Sequence, residues 1–160
     1  MSHKIPLMVA AAVAALLVLT VVQARGPNPP ADGPYPRVEV STIFEAAGEG
    51  DEASASGTIE VCNTSEDPIS GEPIDVKIES ISDNLYYKQG PDVFWTWLAE
   101  AEVSDLAAGR VILADECVNG SWQADYDLPD GTINIRNEVQ VTVEERPDMV
   151  FFGRDCFDFR

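Results

Sequence analysis

Three cysteines, Cys62, Cys117 and Cys156, are the most reactive side chains of this 160-residue sequence. Disulfides persist outside the cytoplasm, and three cysteines allow three pairings, each of which leaves one thiol over. A Cys62–Cys117 bond would bring two sheets together, as in immunoglobulin-like cores. A Cys117–Cys156 bond would instead hold the aromatic C-terminus in place, and we favour this pairing. Three unpaired buried thiols are the remaining alternative.

Carboxylates are abundant and could bind a metal ion. Asp125, Asp127 and Asp130 lie near a predicted strand-to-turn junction, and carboxylate oxygens are the ligands that Ca²⁺ prefers. Their spacing departs from that of the EF-hand loop, and neighbouring acids are expected in a chain with 28 Asp and Glu. The sequence therefore predicts no metal or cofactor site, with these three aspartates as the calcium alternative.

Residues for catalysis and for nucleic-acid binding are scarce. The only histidine is His3, and the motifs G-x-S-x-G, G-x-x-x-x-G-K-[ST] and H-E-x-x-H do not occur. Ten Lys and Arg against 28 Asp and Glu give a formal charge of −18, whereas a nucleic-acid binder must neutralise phosphates. The sequence excludes nucleic acid as a partner and predicts a protein that is not an enzyme.

Aromatic residues are the candidates for a binding surface. An alternating strand buries one face only, so some rings should lie outside the core. Exposed rings anchor protein interfaces or form platforms for sugars. Core packing is favoured for Trp95, Trp97 and Trp122. The candidate interface residues are Phe151, Phe152, Phe157, Phe159, Tyr86 and Tyr87.

Two triplets have the form of glycosylation acceptors. They begin at Asn63 and Asn119, and both fall at predicted turns. Such triplets also arise by chance, so their use stays open.

An uncharged apolar run covers residues 5–22 of the N-terminal segment 1–24. It is either a secretory signal cleaved after Ala24, or a retained anchor, since 18 residues in a helix span about 27 Å. We favour a transmembrane anchor in the lipid bilayer, with small residues available for helix packing. These residues are Ala10, Ala11, Ala14 and Ala15.

The charge distribution orients the chain. Lys4 precedes the apolar run, and the acidic bulk of the chain follows it. We expect a single-pass membrane protein with a cytoplasmic N-terminus and a domain outside the cytoplasm, in a periplasm or at the cell surface. If the segment is cleaved, the protein is secreted.

A spacer separates this segment from one acidic domain. Residues 25–36 contain five prolines, which favour extended polyproline geometry. From residue 37 to residue 160 the apolar period is two, as in Ile74, Val76 and Ile78. Seven or eight short strands with regular turns predict an all-β fold, an antiparallel immunoglobulin-like sandwich, preceded by an N-terminal hydrophobic helix.

Two segments of this domain call for a specific prediction of local structure. Asn119-Gly120 predicts a tight hairpin between strands over 110–118 and 121–128. Residues 93–103 fit either a strand or a helix capped by Asp92, and we favour a strand for the aromatic first half.

Short motifs resemble CARDB-type immunoglobulin-like domains. Residues 57–65, Gly-Thr-Ile-Glu-Val-Cys-Asn-Thr-Ser, and the alternating stretch 73–78 are similar to the second and third strands of that family. Val61 and Asn63 match its V-x-N-x-G pattern, while Ser65 stands where glycine is usual. Residues 103–109 are similar to its leucine-then-glycine turn. The resemblance covers about 70 residues and implies a non-enzymatic adhesion or assembly module.

We therefore expect an accessory subunit that mediates protein–protein assembly in a membrane, cell-surface or virion complex. The alternative is a glycan- or calcium-binding β-sandwich module.

Overall fold

The alternation of apolar and polar residues produces nine strands within residues 36–67 and 69–159, which the computed structural model describes. The strands are β1 (Val38–Ala47), β2 (Ala53–Asn63), β3 (Val76–Lys88), β4 (Thr96–Glu100), β5 (Glu102–Ser104), β6 (Val111–Ile112), β7 (Cys117–Tyr126), β8 (Asn134–Val143) and β9 (Arg146–Asp158). These described residues contain no helix long and apolar enough to cross a membrane. The predicted membrane helix 5–22 and nearly all of the spacer lie outside them.

The strands form two antiparallel sheets. Sheet 1 has the order β1-β2-β7-β5, and sheet 2 has the order β4-β3-β8-β9, with β6 also paired to β3. The predicted all-β antiparallel sandwich of immunoglobulin-like kind is confirmed for the described residues, which form nine strands where seven or eight were predicted.

The core lies where the inward faces of the two sheets meet. In β8, every second residue from Ile135 to Val143 points inward, and all but Asn137 are apolar. Sheet 1 contributes Ile59, Val61 and Trp122, which are almost completely buried. Burying each such side chain contributes about 1.5–3 kcal/mol to folding, so this alternation accounts for the sandwich.

The predicted hairpin at Asn119-Gly120 is wrong. β7 runs without interruption through both residues and pairs with β2 on one side and β5 on the other. A Cβ at Gly120 would lie 2.6 Å from the Ser104 carbonyl oxygen and 2.7 Å from Leu106 Cγ. This glycine therefore allows a close approach of chain segments rather than a turn.

The other ambiguous segment is extended. A strand was predicted for the aromatic first half of 93–103, and β4 begins there only at Thr96, so residues 93–95 lie in a loop; the alternative helix does not form. The aromatic C-terminus is not a tail that needs a disulfide to hold it, because β9 pairs along its length with β8.

Candidate functional site

The disulfide joins Cys62 to Cys117, which corrects the Cys117–Cys156 pairing that we favoured from the sequence. The two residues are directly opposite each other on β2 and β7, with their Cα atoms 4.0 Å apart. The bond therefore connects two strands of sheet 1 and does not link the two sheets. Cys156 lies on β9 as a free thiol, and its partial burial raises the pKa of that thiol, which disfavours the nucleophilic thiolate.

No described group of side chains is suited to hold a metal ion. The single cluster with three potential donors consists of Glu60, Cys62 and Cys117. Its two sulfurs are bonded to each other and cannot act as thiolate ligands. The calcium candidates Asp125, Asp127 and Asp130 do not form such a cluster, and Asp127 instead accepts a hydrogen bond from the Glu52 backbone.

Asn63 is a structural residue and not a surface acceptor for a glycan. Its side chain is 0% exposed, and its Nδ2 donates to the carbonyl oxygens of Ile74 at 2.8 Å and Ile112 at 3.1 Å. Its Oδ1 accepts a hydrogen bond from the Ser65 backbone at 3.0 Å. Asn119, in contrast, is exposed on β7. Only the second acceptor triplet is therefore accessible in the folded domain.

Strand alternation divides the six aromatic interface candidates. Phe151, Phe157, Phe159 and Tyr87 pack against the core. Tyr86 and Phe152 occupy the outward positions of β3 and β9. The whole set therefore does not form one exposed surface, because neighbouring residues of a strand point to opposite faces.

The outer face of sheet 2 gathers aromatic rings and cations. We call this surface the aromatic–cationic face, and it consists of Tyr86, Lys88, Trp95, Trp97, Arg136, Phe152 and Arg154. The register places Trp97 of β4, Tyr86 of β3 and Arg136 of β8 in one row across the strands. Three elements thus position the row, and the loop before β4 adds Trp95.

Each cation of this face lies over at least one ring. The Arg136 guanidinium is 4.7 Å from the centre of the Trp95 ring and 5.1 Å from that of Tyr86. The Lys88 ammonium is 5.8 Å from Trp95, and the Arg154 guanidinium is 5.2 Å from Phe152. Stacking of this kind fixes long side chains in place and lowers the entropy lost on binding.

One acid balances two of these cations. Glu138 Oε2 accepts a hydrogen bond from Arg154 Nε at 2.7 Å and lies 3.5 Å from Arg136 Nη2. Glu138 is buried, and the two arginines neutralise its charge there. The outer face of sheet 2 therefore carries three cations beside three acids, Glu138, Asp158 and Glu100, in a chain whose formal charge is −18.

Large rings beside this cluster have no cover within the described domain. Trp97 is 58% exposed, although its Nε1 donates to Asn84 at 3.2 Å, and Phe94, in the loop before β4, is 91% exposed. Core packing was predicted for Trp95 and Trp97 and is wrong for both, because Trp97 occupies an outward position of β4 and Trp95 contacts Arg136 on the outer face. Trp122, for which core packing was also predicted, is buried.

A second feature that sequence reasoning missed is a buried polar pair. Asp83 is 1% exposed, and Asn137 Nδ2 donates to its Oδ1 at 2.5 Å. Asp83 Oδ2 and Asn137 Oδ1 have no hydrogen-bond partner among the described residues. Burial raises the pKa of Asp83 to about 7, with the hydrogen bond from Asn137 opposing the shift. Asp83 also lines a cavity of about 390 Å³ together with Glu100, Glu102 and neighbouring residues.

For the aromatic–cationic face and for the buried polar pair, the sequence contained only an indirect signal. Arg136 and Glu138 alternate with Ile135 and Asn137, which marks them as outward residues of a half-buried strand. Which ring each cation meets depends on pairing between strands that are distant in the sequence.

The fold defines the class of this protein as an immunoglobulin-like β-sandwich. It is similar to Spo0M, a sporulation control protein from Bacillus subtilis, with a TM-score of 0.50 and 15% identity over 76% of this chain. The match covers 48% of the Spo0M chain, so this chain spans about half of that protein's length. It is also similar to PapD-like domain 7 of human CEP192, with a TM-score of 0.43 and 18% identity over 84% of this chain and 91% of that one.

Neither a protein-family model nor a curated protein matches the sequence. Since the identity to Spo0M is low, that similarity indicates a shared fold alone.

Proposed function

We propose that this chain is a non-enzymatic accessory subunit that assembles with protein partners outside the cytoplasm, and that the aromatic–cationic face is its docking surface. The observation that carries the proposal is the contact of Arg136 with the rings of both Trp95 and Tyr86, in one row with the exposed Trp97. Trp, Tyr and Arg dominate the binding energy of protein interfaces, especially where they are held rigidly.

The rest of the described domain supports binding rather than catalysis. The free thiol of Cys156 has a raised pKa, and the Cys62–Cys117 sulfurs are used in a disulfide. A disulfide of this kind suits an oxidising compartment, which agrees with the signal or anchor expected at residues 5–22. Membership of the CARDB-type family, which would imply adhesion or assembly, is part of this proposal.

Replacing the exposed rings tests the docking surface. We expect full-length protein carrying Phe94→Ser and Trp97→Ser, expressed in its source cells, to lose its place in a native complex, because it loses the apolar anchors of the face. Native gel electrophoresis of the solubilised complex measures this. Ile69→Ser and Leu113→Ser remove exposed apolar side chains elsewhere and serve as the control. A complex of unchanged size with the first variant would contradict the proposal.

A glycan-binding module is the second candidate, because the exposed rings of Phe94 and Trp97 could stack on sugars. Binding of an oligosaccharide should raise the melting temperature of the wild type and not that of the Phe94→Ser/Trp97→Ser variant. No shift with any member of a glycan panel would remove this candidate.

A further inference from the structure

The outer face of sheet 1 differs from the aromatic–cationic face because it presents acids and no Lys or Arg. Each of its four strands carries an exposed acid, and we call this surface, defined by four of these acids, the acidic face. They are Glu39 on β1, Glu60 on β2, Asp125 on β7 and Glu102 on β5. Between them the strands present small polar side chains, among which are Thr58 and Ser121, paired across β2 and β7.

The distribution of cations between the two sheets is one-sided. None of the four strands of sheet 1 contains Lys or Arg. All five Lys and Arg residues that lie in described strands belong to sheet 2. Three of them, Lys88, Arg136 and Arg154, stand on the aromatic–cationic face.

We propose that the partner of the aromatic–cationic face is a second copy of this chain, which binds through its acidic face. The inference rests on the proposed function and names the partner. The cations of one copy meet the acids of the next, and opposite potentials across an interface favour this register over others. The exposed Ile43, on the outer side of β1, offers apolar area to the rings.

Such a contact uses two different surfaces and is therefore heterologous. After pairing, each copy keeps one free face and the pair keeps one of each kind, so the contact can continue into a row of subunits. The small side chains at the centre of the acidic face leave room for the protruding rings of Trp97 and Phe94.

Net charge opposes this association at long range. Two chains of formal charge −18 repel each other, but charges farther apart than about 8 Å are largely screened at physiological ionic strength. The contact pairs between the two faces lie well within that distance. The attraction between opposite charges at the contact is therefore screened less than the repulsion between the distant charges of the two chains.

Changing the charges on each face tests the inference. The acidic-face variant carries Glu60→Lys and Asp125→Lys, and the cationic-face variant carries Lys88→Glu and Arg154→Gln. Sedimentation velocity of the full chain in detergent micelles measures association over a range of concentrations. We expect each variant to weaken self-association about tenfold or more, which corresponds to about 1.4 kcal/mol.

Matched controls change the same charges elsewhere. Glu66→Lys with Glu72→Lys alters exposed loop acids, and Arg110→Glu alters an exposed loop cation. These controls should leave the dissociation constant within about twofold of the wild type, since surface substitutions away from a contact have small effects. Thermal unfolding of every variant verifies the fold, and Lys88→Glu alone replaces the cationic-face variant if Arg154→Gln unfolds it.

Mixing provides the decisive measurement. The intact aromatic–cationic face of one variant fits the intact acidic face of the other, so an equimolar mixture should form a 1:1 pair that neither variant forms alone and that does not extend into a row. A monomeric wild type, association that resists both variants, or a mixture that stays dissociated would each overturn the inference. If assembly in source cells still requires Phe94 and Trp97 in that case, the docking proposal survives and the partner is a different protein.

Discussion

Asp83 and Asn137 form a buried hydrogen-bonded pair whose donors and acceptors are matched only when Asp83 carries a proton. The two atoms without partners, Asp83 Oδ2 and Asn137 Oδ1, are both acceptors when Asp83 is ionised. A proton on Asp83 allows its carboxyl group to donate to the amide while it accepts from Nδ2. No described salt bridge reaches Asp83, so no opposite charge offsets the cost of burying its ionised form.

We expect this pair to make the free energy of unfolding depend on pH. The folded-state pKa of Asp83 is about 7 against the ordinary aspartate value of 3.8, so the stabilisation by the protonated form is complete below about pH 3.8 and is lost as pH rises to about 7. The loss should be about 1.4 kcal/mol per pH unit within that window. Urea unfolding at several pH values measures it.

Asp83→Asn is the matched variant for this measurement. Its amide can donate to Asn137 Oδ1 as the protonated acid does, so the difference in unfolding free energy between wild type and variant isolates the Asp83 proton. Exposed Glu100 and Glu102, which line the same cavity, are common to both proteins. A difference that does not change between pH 4 and pH 7 would refute the assignment.

At the scale of strands, the absence of a side chain at one position allows the central tryptophan to pack. Gly57 of β2 faces Trp122 of β7, and a Cβ at Gly57 would lie 2.6 Å from Trp122 Nε1 and 2.0 Å from the Ile43 carbonyl oxygen. Phe44 adds an edge-on ring contact to Trp122, with ring centres 5.0 Å apart. The glycine thus brings β1, β2 and β7 together around one ring.

Gly57→Ala should destabilise the domain by about 1–3 kcal/mol, because the added methyl group overlaps a backbone atom that cannot move without disturbing β1. Gly48→Ala is the control, since its Cβ would make an ordinary contact at 3.4 Å. Thermal and urea unfolding compare the two variants. Equal stability of Gly57→Ala and Gly48→Ala would show that the strands adjust without cost.

For the whole molecule, the disulfide closes a long segment of chain within one sheet. Cys62 and Cys117 are 55 residues apart in the sequence, and the segment between them crosses to sheet 2 through β3 and β4 before it returns. Linking its ends limits the unfolded chain and favours the folded sandwich.

Replacing both Cys62 and Cys117 by serine should lower the free energy of unfolding by about 2–4 kcal/mol. Cys156→Ser is the control, because its thiol is free and outside the core, and it should change stability little. Denaturant unfolding of the oxidised proteins measures both. If the double variant matched the wild type, the bond would have no role in stability.

Local periodicity made much of the fold predictable. The alternation in β1, in β8 and at Val76 and Ile78 assigns strands and inward faces without knowledge of any partner. The turn motif at Asn119-Gly120 gave a wrong prediction. A glycine needed for a tight turn and a glycine needed for close approach of two chain segments cannot be distinguished in the sequence. The prediction of core packing also failed at Trp97, because the register of β4 against β3 determines which rings face outward.

The sandwich class and the excess of acids could be predicted from the amino-acid sequence, because both follow from composition and from a period of two along the chain. Three contacts emerged only from the folded chain: the Cys62–Cys117 bond, the contact of Arg136 with two rings and the burial of Asp83 beside Asn137. Each of these contacts joins residues from different strands. Their partners are set by long-range register, which no local pattern encodes.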